Sequence, residues 1–412
     1  MLRLTLVVTM LLLWLHVMAG ASHSDARPTI TPVQVGWTHA GTLLPDSSNF
    51  VTASLLVITP GERIYSTPGH CAIRLECPVH NLDYCYSMEA GVRWTDFMNF
   101  YSGRLKAKFF AFETDMYLGS YASEKRGVTQ YELNLTLHEK QRLWQLLDEN
   151  MMQDVEITYN LLKDNCISKG VLTIEDALID ERLEFGQMPE IMYEINGRLA
   201  RYVARRAPWV EFLYTSFLGT ECDNFWDIEY RLSPELVAEI LQKSHFVGNS
   251  GATKRPVLIA SKRLLTQQAS ERQYAITPTI AFALVLLLVL LISVYEIKNG
   301  PSLAGRCCNV VLLVLQTAAS LFLLYLTVYS GLFGYHWNWY LIPCNPLPAL
   351  LWLCFRHREW WPKIYLVYTV ILICFLAITP ISEQIDLPHQ LITATLAVRC
   401  ATIWLLTKRH ES

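Results

Sequence analysis

The sequence predicts an α+β domain followed by an all-α, polytopic membrane domain. Three observations carry that reading: a locally skewed composition, long apolar runs confined to the C-terminal part, and mixed short strand and helix patterns ahead of them. The 412 residues are 52% hydrophobic and 17% charged, where an average soluble domain carries roughly 25% charged residues. Residues 25–275 resemble ordinary globular chain, and the remainder is strongly apolar. The length exceeds what one hydrophobic core usually serves, so two units are expected. A net charge of −3, with no basic patch interleaved with aromatics, argues against a nucleic-acid binder.

The first residues read as a secretory signal. Arg3 gives a positive start, residues 4–18 form the apolar stretch, and Ala19-Gly20-Ala21 fits a small-residue cleavage site. The expected organisation is a signal over 1–21, an exported domain over 22–247, a linker over 248–275 and a membrane domain over 276–407. Runs at 277–295, 310–333, 364–379 and 391–406 are long enough to span, since about 20 apolar residues cross a bilayer. A run at 340–355 is short and broken by Pro343 and Pro346, which makes about five spans. With an exported N-terminal domain, Lys298, Arg306, Arg356, Arg358, Lys363, Lys408 and Arg409 fall on the cytoplasmic side. The outer loops 334–339 and 382–389 carry no Lys or Arg, as the positive-inside rule requires. Lys262, Arg263 and Arg272 count mildly against it. Arg399 lies within the last span, where an ionised group is costly and usually paired or functional. His336-Trp337-Asn338-Trp339 places aromatic and polar groups at the interface.

In the exported domain, residues 51–59 read as a strand ending at the Pro60-Gly61 turn. In Gly69-His70-Cys71-Ala72-Ile73-Arg74-Leu75, alternation puts His70, Ala72 and Arg74 on one face and the other residues opposite. Thr136-Leu137-His138-Glu139 is a capping box that opens a helix over 137–149. Asp164-Asn165 precedes Cys166, after which Ile167, Val171, Ile174 and Leu178 keep a helical period. Arg198, Arg201 and Arg205 line a helix opposite Leu199 and Val203, either on an anionic membrane surface or as a solvated face.

Cys71, Cys77, Cys85, Cys166 and Cys222 fall in this domain, an odd number, so an oxidising compartment leaves at least one thiol unpaired. Cys77 and Cys85 could close a hairpin. Cys166 is the candidate free thiol. At a helix start, the backbone N–H groups and the dipole favour thiolate over thiol, and the same groups can hold an oxyanion. A nucleophilic cysteine needs a base, and strand-borne His70 can supply it. No cluster of His, Cys, Asp and Glu has ligand spacing, and no glycine-rich phosphate loop is present. No metal or cofactor is expected.

Asn165-Cys166 at a helix start, preceded by His70, resembles the circularly permuted papain-like fold, with histidine before cysteine as in lecithin:retinol acyltransferase-like proteins. A longer resemblance covers most of the chain and is to the Lnb-type lipoprotein N-acyltransferases, an exported thiol domain fused to a C-terminal membrane domain. It rests on Pro60-Gly61, Gly69-His70-Cys71-Ala72-Ile73-Arg74, Phe100-Tyr101-Ser102-Gly103, Tyr121 and Arg126-Gly127-Val128. Leu133-Asn134-Leu135-Thr136, Tyr159, Asp164-Asn165-Cys166, Pro208-Trp209, Leu218-Gly219 and Asp223 continue it. Leu232-Ser233-Pro234, Asn338-Trp339 and Asn345-Pro346-Leu347 complete it. Ile167-Ser168 departs from the threonines more usual there, and Cys71 directly after the histidine is a competing thiol.

The resemblance implies Cys166 as nucleophile and His70 as general base, with Asn165 and Asp164 shaping the helix start. Arg74 would bind phosphate or orient the site. A third polar group should orient His70, and Glu76, His80 and Asp83 are the candidates. The implied reaction moves an acyl chain from a membrane phospholipid through a Cys166 thioester to the α-amino group of a diacylglyceryl-cysteine lipoprotein, on the periplasmic side of the inner membrane. Two other readings remain open. One is an envelope thiol hydrolase, a peptidase or amidase, using the same pair with water. The other is a non-catalytic envelope assembly protein with a structural Cys166 far from His70.

Overall fold

The computed structural model describes residues 51–91, 93–193, 196–224, 233–249, 251, 254–268, 275–354, 360–379 and 385–411. The expected signal over 1–21, Arg272, Arg356, Arg358, Leu232 and the outer-loop residues 382–384 lie outside these.

Strands β1 (Thr52–Ile58), β2 (His70–Cys77) and β3 (Leu82–Ala90) run into helix α1 (Trp94–Tyr101), β4 (Lys106–Glu113), α2 (Thr114–Ser123) and β5 (Val128–Leu133). Helix α3 (Leu137–Met152), β6 (Ile157–Thr158) and α4 (Cys166–Asp176) follow. Next come β7 (Glu181–Glu184), α5 (Asn196–Ala204), α6 (Pro208–Phe217), α7 (Pro234–Gln242), β8 (His245–Gly248), β9 (Lys254–Pro256) and β10 (Leu258–Leu265). A seven-stranded sheet in the order β10-β5-β1-β2-β3-β4-β6 forms the centre, and every neighbouring pair is antiparallel. The class is α+β.

The sheet is covered on both faces, which explains why β1 reads as a continuous apolar run rather than an alternating one. Leu55 and Val57 pack with Ile73, Tyr86, Leu143 and Val171 on the side of α3 and α4. Leu56 and Ile58 pack with Ala72, Phe112, Tyr117 and Tyr121 on the side of α2. The capping box opens α3 as expected: Thr136 N–H donates to Glu139 at 2.7 Å, and Glu139 N–H donates back to Thr136 Oγ1.

The expected linker over 248–275 is corrected by strand pairing. β9 pairs β8, and β10 pairs β5 at the edge of the main sheet. Lys262 and Arg263 therefore sit on an exposed sheet edge rather than in a linker.

The C-terminal part is helical: α8 (Pro278–Asn299), α9 (Leu303–Leu324), α10 (Leu347–Cys354), α11 (Trp361–Ile378) and α12 (Leu387–Glu411). Four of these, all but α10, are long and apolar enough to cross a membrane. α8 and α12 run parallel, since Phe212 touches Phe282 and His389 at one end, while Arg399 bonds Ser293 and Arg409 meets Ile297 towards the other. α9 and α11 run the opposite way, with Leu323 and Phe375 meeting Tyr340 at the outer end. The chain thus has to return across the bilayer between α9 and α11. The broken run does this: Tyr340 lies at the outer level, and the Pro343 carbonyl sits at mid-depth. There it accepts from Gln316 at 3.0 Å and Tyr368 at 2.6 Å. These bonds satisfy backbone that the prolines leave open, as an interrupted span in lipid requires.

Candidate active site

Gly69 brings the chain into β2. Its φ of +89° is open to glycine, and a Cβ there would meet the Ile58 carbonyl at 2.8 Å and Pro234 at 2.9 Å. His70 follows as the first residue of the strand, with 12% of its side chain exposed. Across the sheet, Asn165 caps α4. Its Oδ1 accepts from the N–H groups of Ile167 at 2.9 Å and Ser168 at 3.1 Å, and Ser168 Oγ accepts from Asn165 N–H at 3.0 Å. The departure at Ser168 therefore still completes a capping box. The cap takes the N–H groups of Ile167 and Ser168 and not that of Cys166. Asp164 pairs with Lys169 at 2.7 Å and stands beside the cap rather than in it.

Cys166 is the first residue of α4, and its half-buried thiol is hydrogen-bonded to His70. Burial alone would push this thiol up. The His70 charge, the bond to His70 and a bond from the Cys71 backbone N–H outweigh burial and hold it below the ordinary thiol range. His70 responds in kind. Burial would lower it, but the charges of Cys166, Tyr121 and Glu89 raise it well above the ordinary imidazole value. Both shifts favour the thiolate–imidazolium form of the pair.

The far nitrogen of His70 is held by groups that the local sequence did not suggest. His70 Nε2 lies 2.7 Å from Ser87 Oγ and 3.3 Å from Glu89 Oε1, and Ser87 Oγ donates to Glu89 at 2.8 Å. Tyr117 donates to Ser87 at 3.0 Å, and Tyr121 donates to Tyr117 at 3.2 Å. Nε2 is thereby occupied, which leaves Nδ1 for the sulfur.

Glu76, His80 and Asp83 lie at the other end of the hairpin. At about 3.3 Å per residue, Cys77 is on the order of 23 Å along the strand from His70. Glu76 and Asp83 both face Arg74, at 3.3 and 2.6 Å. Arg74 also donates to Gln130 at 2.7 Å, so its guanidinium is committed to the sheet surface, away from Cys166. The hairpin register contained the missed signal. Ile73 pairs Tyr86 and Arg74 pairs Cys85, so extending the ladder sets His70 across from Glu89. Cys77 and Cys85 pack on opposite faces and are both free.

Cys71 is the control thiol. It packs in the core, 2% exposed, and burial followed by the Cys166 charge pushes its thiol well above the ordinary value. Among the described residues no group of His, Cys, Asp and Glu could hold a metal ion.

The site connects to the membrane through rings. Tyr159 lies close enough to Cys166 to feel its charge, Phe100 packs on Tyr159 at 6.3 Å, and Tyr101 packs on Phe322 of α9 at 5.2 Å. Gly103 abuts Gly331 so closely that a Cβ would lie 2.6 Å from the Gly331 carbonyl carbon. Ser330 donates to the Tyr101 carbonyl at 2.6 Å, and Asn160 donates to that of Phe333 at 3.1 Å. The loop 334–339 does more than line the interface: His336 pairs Glu221 at 2.6 Å, and Asn338 donates to the Ser216 and Leu218 carbonyls.

Residues 46–195 match the Lnb N-terminal periplasmic domain, and residues 269–411 match the Lnb transmembrane domain. Together these cover more than two thirds of the chain. The chain belongs to the Lnb family. This Lnb protein is a membrane protein with a periplasmic N-terminal domain. No curated protein and no solved structure matches the chain significantly.

Proposed function

We propose that this Lnb protein is a cysteine-dependent acyltransferase of the inner membrane, moving an acyl chain from a phospholipid to the α-amino group of a diacylglyceryl-cysteine lipoprotein. The observation that carries the reading is the Cys166–His70 pair at a helix N-terminus, linked ring by ring to the outer end of a membrane helix. The Cys166 thiolate attacks the ester carbonyl of the donor. The new C–S bond forms as the C–O bond breaks, and His70 gives its proton to the departing lysophospholipid alkoxide. The acceptor amine then attacks the thioester, sheds its proton to His70 and releases the thiolate. In this reading the Cys166 N–H, at the start of the helix, receives the developing oxyanion. The gap between Cys166, Gly170 and the core residues Ile73 and Phe109 is too tight for a water molecule. The acyl chain therefore lies outward, towards the bilayer, where both substrates are confined at high effective concentration.

Intact-mass analysis of the purified chain incubated with phospholipid tests this. A hydroxylamine-labile gain of one acyl chain, absent in Cys166→Ala, is expected. Rapid release of fatty acid with no such adduct would move the assignment to a thiol hydrolase, and an unreactive Cys166 would end both readings.

A further inference from the structure

We propose that Ser216, His389 and Asp386 form a second nucleophilic site, an ester-cleaving serine triad at the outer surface of the bilayer. Ser216 is the penultimate residue of α6, and Asp386 and His389 flank the start of α12. Ser216 Oγ lies 2.7 Å from His389 Nε2, and His389 Nδ1 is bonded to Asp386 Oδ1. A carboxylate only accepts, so Nδ1 carries the proton and Nε2 presents its lone pair to the serine hydroxyl. That is the tautomer and order of groups a serine nucleophile needs.

Each member is held. Asp386 also accepts from Thr215 Oγ1 at 3.2 Å and from the His389 N–H at 3.4 Å. Arg201 adds a positive charge close to the carboxylate. The imidazole is clamped between Tyr340 at 3.9 Å and Phe212 at 4.7 Å, both stacked. His389 is 5% exposed and Ser216 only half-buried, so the base is shielded while the hydroxyl has access. The level is the bilayer surface: Phe212 also touches Phe282, and Trp209 donates to the Ile276 carbonyl just ahead of α8 at 2.9 Å. The substrate class is therefore an acyl ester of an amphiphile whose carbonyl sits at that depth. Ser216 Oγ adds to the carbonyl as its proton passes to Nε2. The ester C–O bond breaks with the leaving alcohol taking that proton, and water reverses the sequence to release a carboxylic acid. Ser216 Oγ is also 2.5 Å from the Phe212 carbonyl, so its single hydrogen has two acceptors. A hydroxyl locked on Phe212 would make the array a clasp and nothing more.

The test is labelling of the full-length chain in phospholipid nanodiscs with an alkyl fluorophosphonate, in a Cys166→Ala background that keeps the result independent of the acyltransferase reading. The expected product has the Ser216 Oγ–P bond formed and the P–F bond broken, located by peptide mass spectrometry. Ser216→Ala removes it, and His389→Asn slows it by about a hundredfold or more. No adduct at Ser216 in a chain with native near-ultraviolet dichroism would overturn the proposal, whatever the variants do. A labelling rate unchanged by His389→Asn would overturn it as well.

Discussion

Two buried ionic clusters, one in each half of the molecule, use similar groups to opposite ends. In the bundle, Arg399 and Glu296 meet at 2.6 Å and are almost wholly buried, at 4% and 1% exposure. Arg399 also donates to Asn309, to Ser293 at 3.3 Å and to the Gly305 carbonyl at 3.2 Å. Glu296 accepts twice more from Ser302, at 2.8 and 3.0 Å. The two charges are paired with each other and closed off from solvent, which makes this cluster a lock between helices. At the start of α4, the thiolate of Cys166 is answered by one imidazole and one N–H and remains half-buried. His70 is held on its far side by Ser87 and Glu89, and its near side meets the thiol. Access separates structure from chemistry here, since two buried charges turned on each other have nothing to offer a substrate.

Substitutions should break the two clusters differently. The largest effect is expected from Cys166→Ala, which removes all acyl adduct by mass spectrometry while leaving the thermal midpoint nearly unchanged. Arg399→Leu leaves Glu296 buried and unanswered, so it should cost about 3–5 kcal/mol in detergent unfolding while activity per folded molecule persists. Glu89→Gln keeps shape but loosens the hold on His70. Turnover should drop about tenfold, a fraction of the roughly hundredfold or more a positioned base supplies. Asn165→Ala removes a helix cap, for about 1 kcal/mol of stability. Glu76→Gln is the smallest: it alters a half-exposed partner of Arg74 at the far end of the hairpin, and the rate of Cys166 alkylation should stay put.

Some of this was legible in the sequence and some was not, for physical reasons. The α3 capping box, the Asn165 cap and the strand carrying His70 are local features, so residue type and period reveal them. Arg399 announced itself through the cost of a charge in hydrocarbon. Glu89 and Ser87 are not legible from the residues that follow His70 in the chain, because a strand carries its neighbours away at each residue. Only the register past the Asn81 turn, held by its left-handed φ of 52°, brings β3 back beside His70. β10 was read as linker because Leu258–Leu265 lacks alternation, and its strand identity comes from pairing with β5. The junction of Ser216, His389 and Asp386 joins residues with no local pattern in common.

The pH dependence of Cys166 alkylation by iodoacetamide tests the central claim most directly. His70, raised above its ordinary value, stays charged to higher pH and holds the thiolate, so the Cys166 midpoint should fall below that of an ordinary free thiol titrated alongside it. In His70→Ala burial is left to dominate, and the midpoint should move above that value, while buried Cys71 stays unreactive throughout. A wild-type midpoint at or above the ordinary value, or one that His70→Ala does not move, would contradict the account.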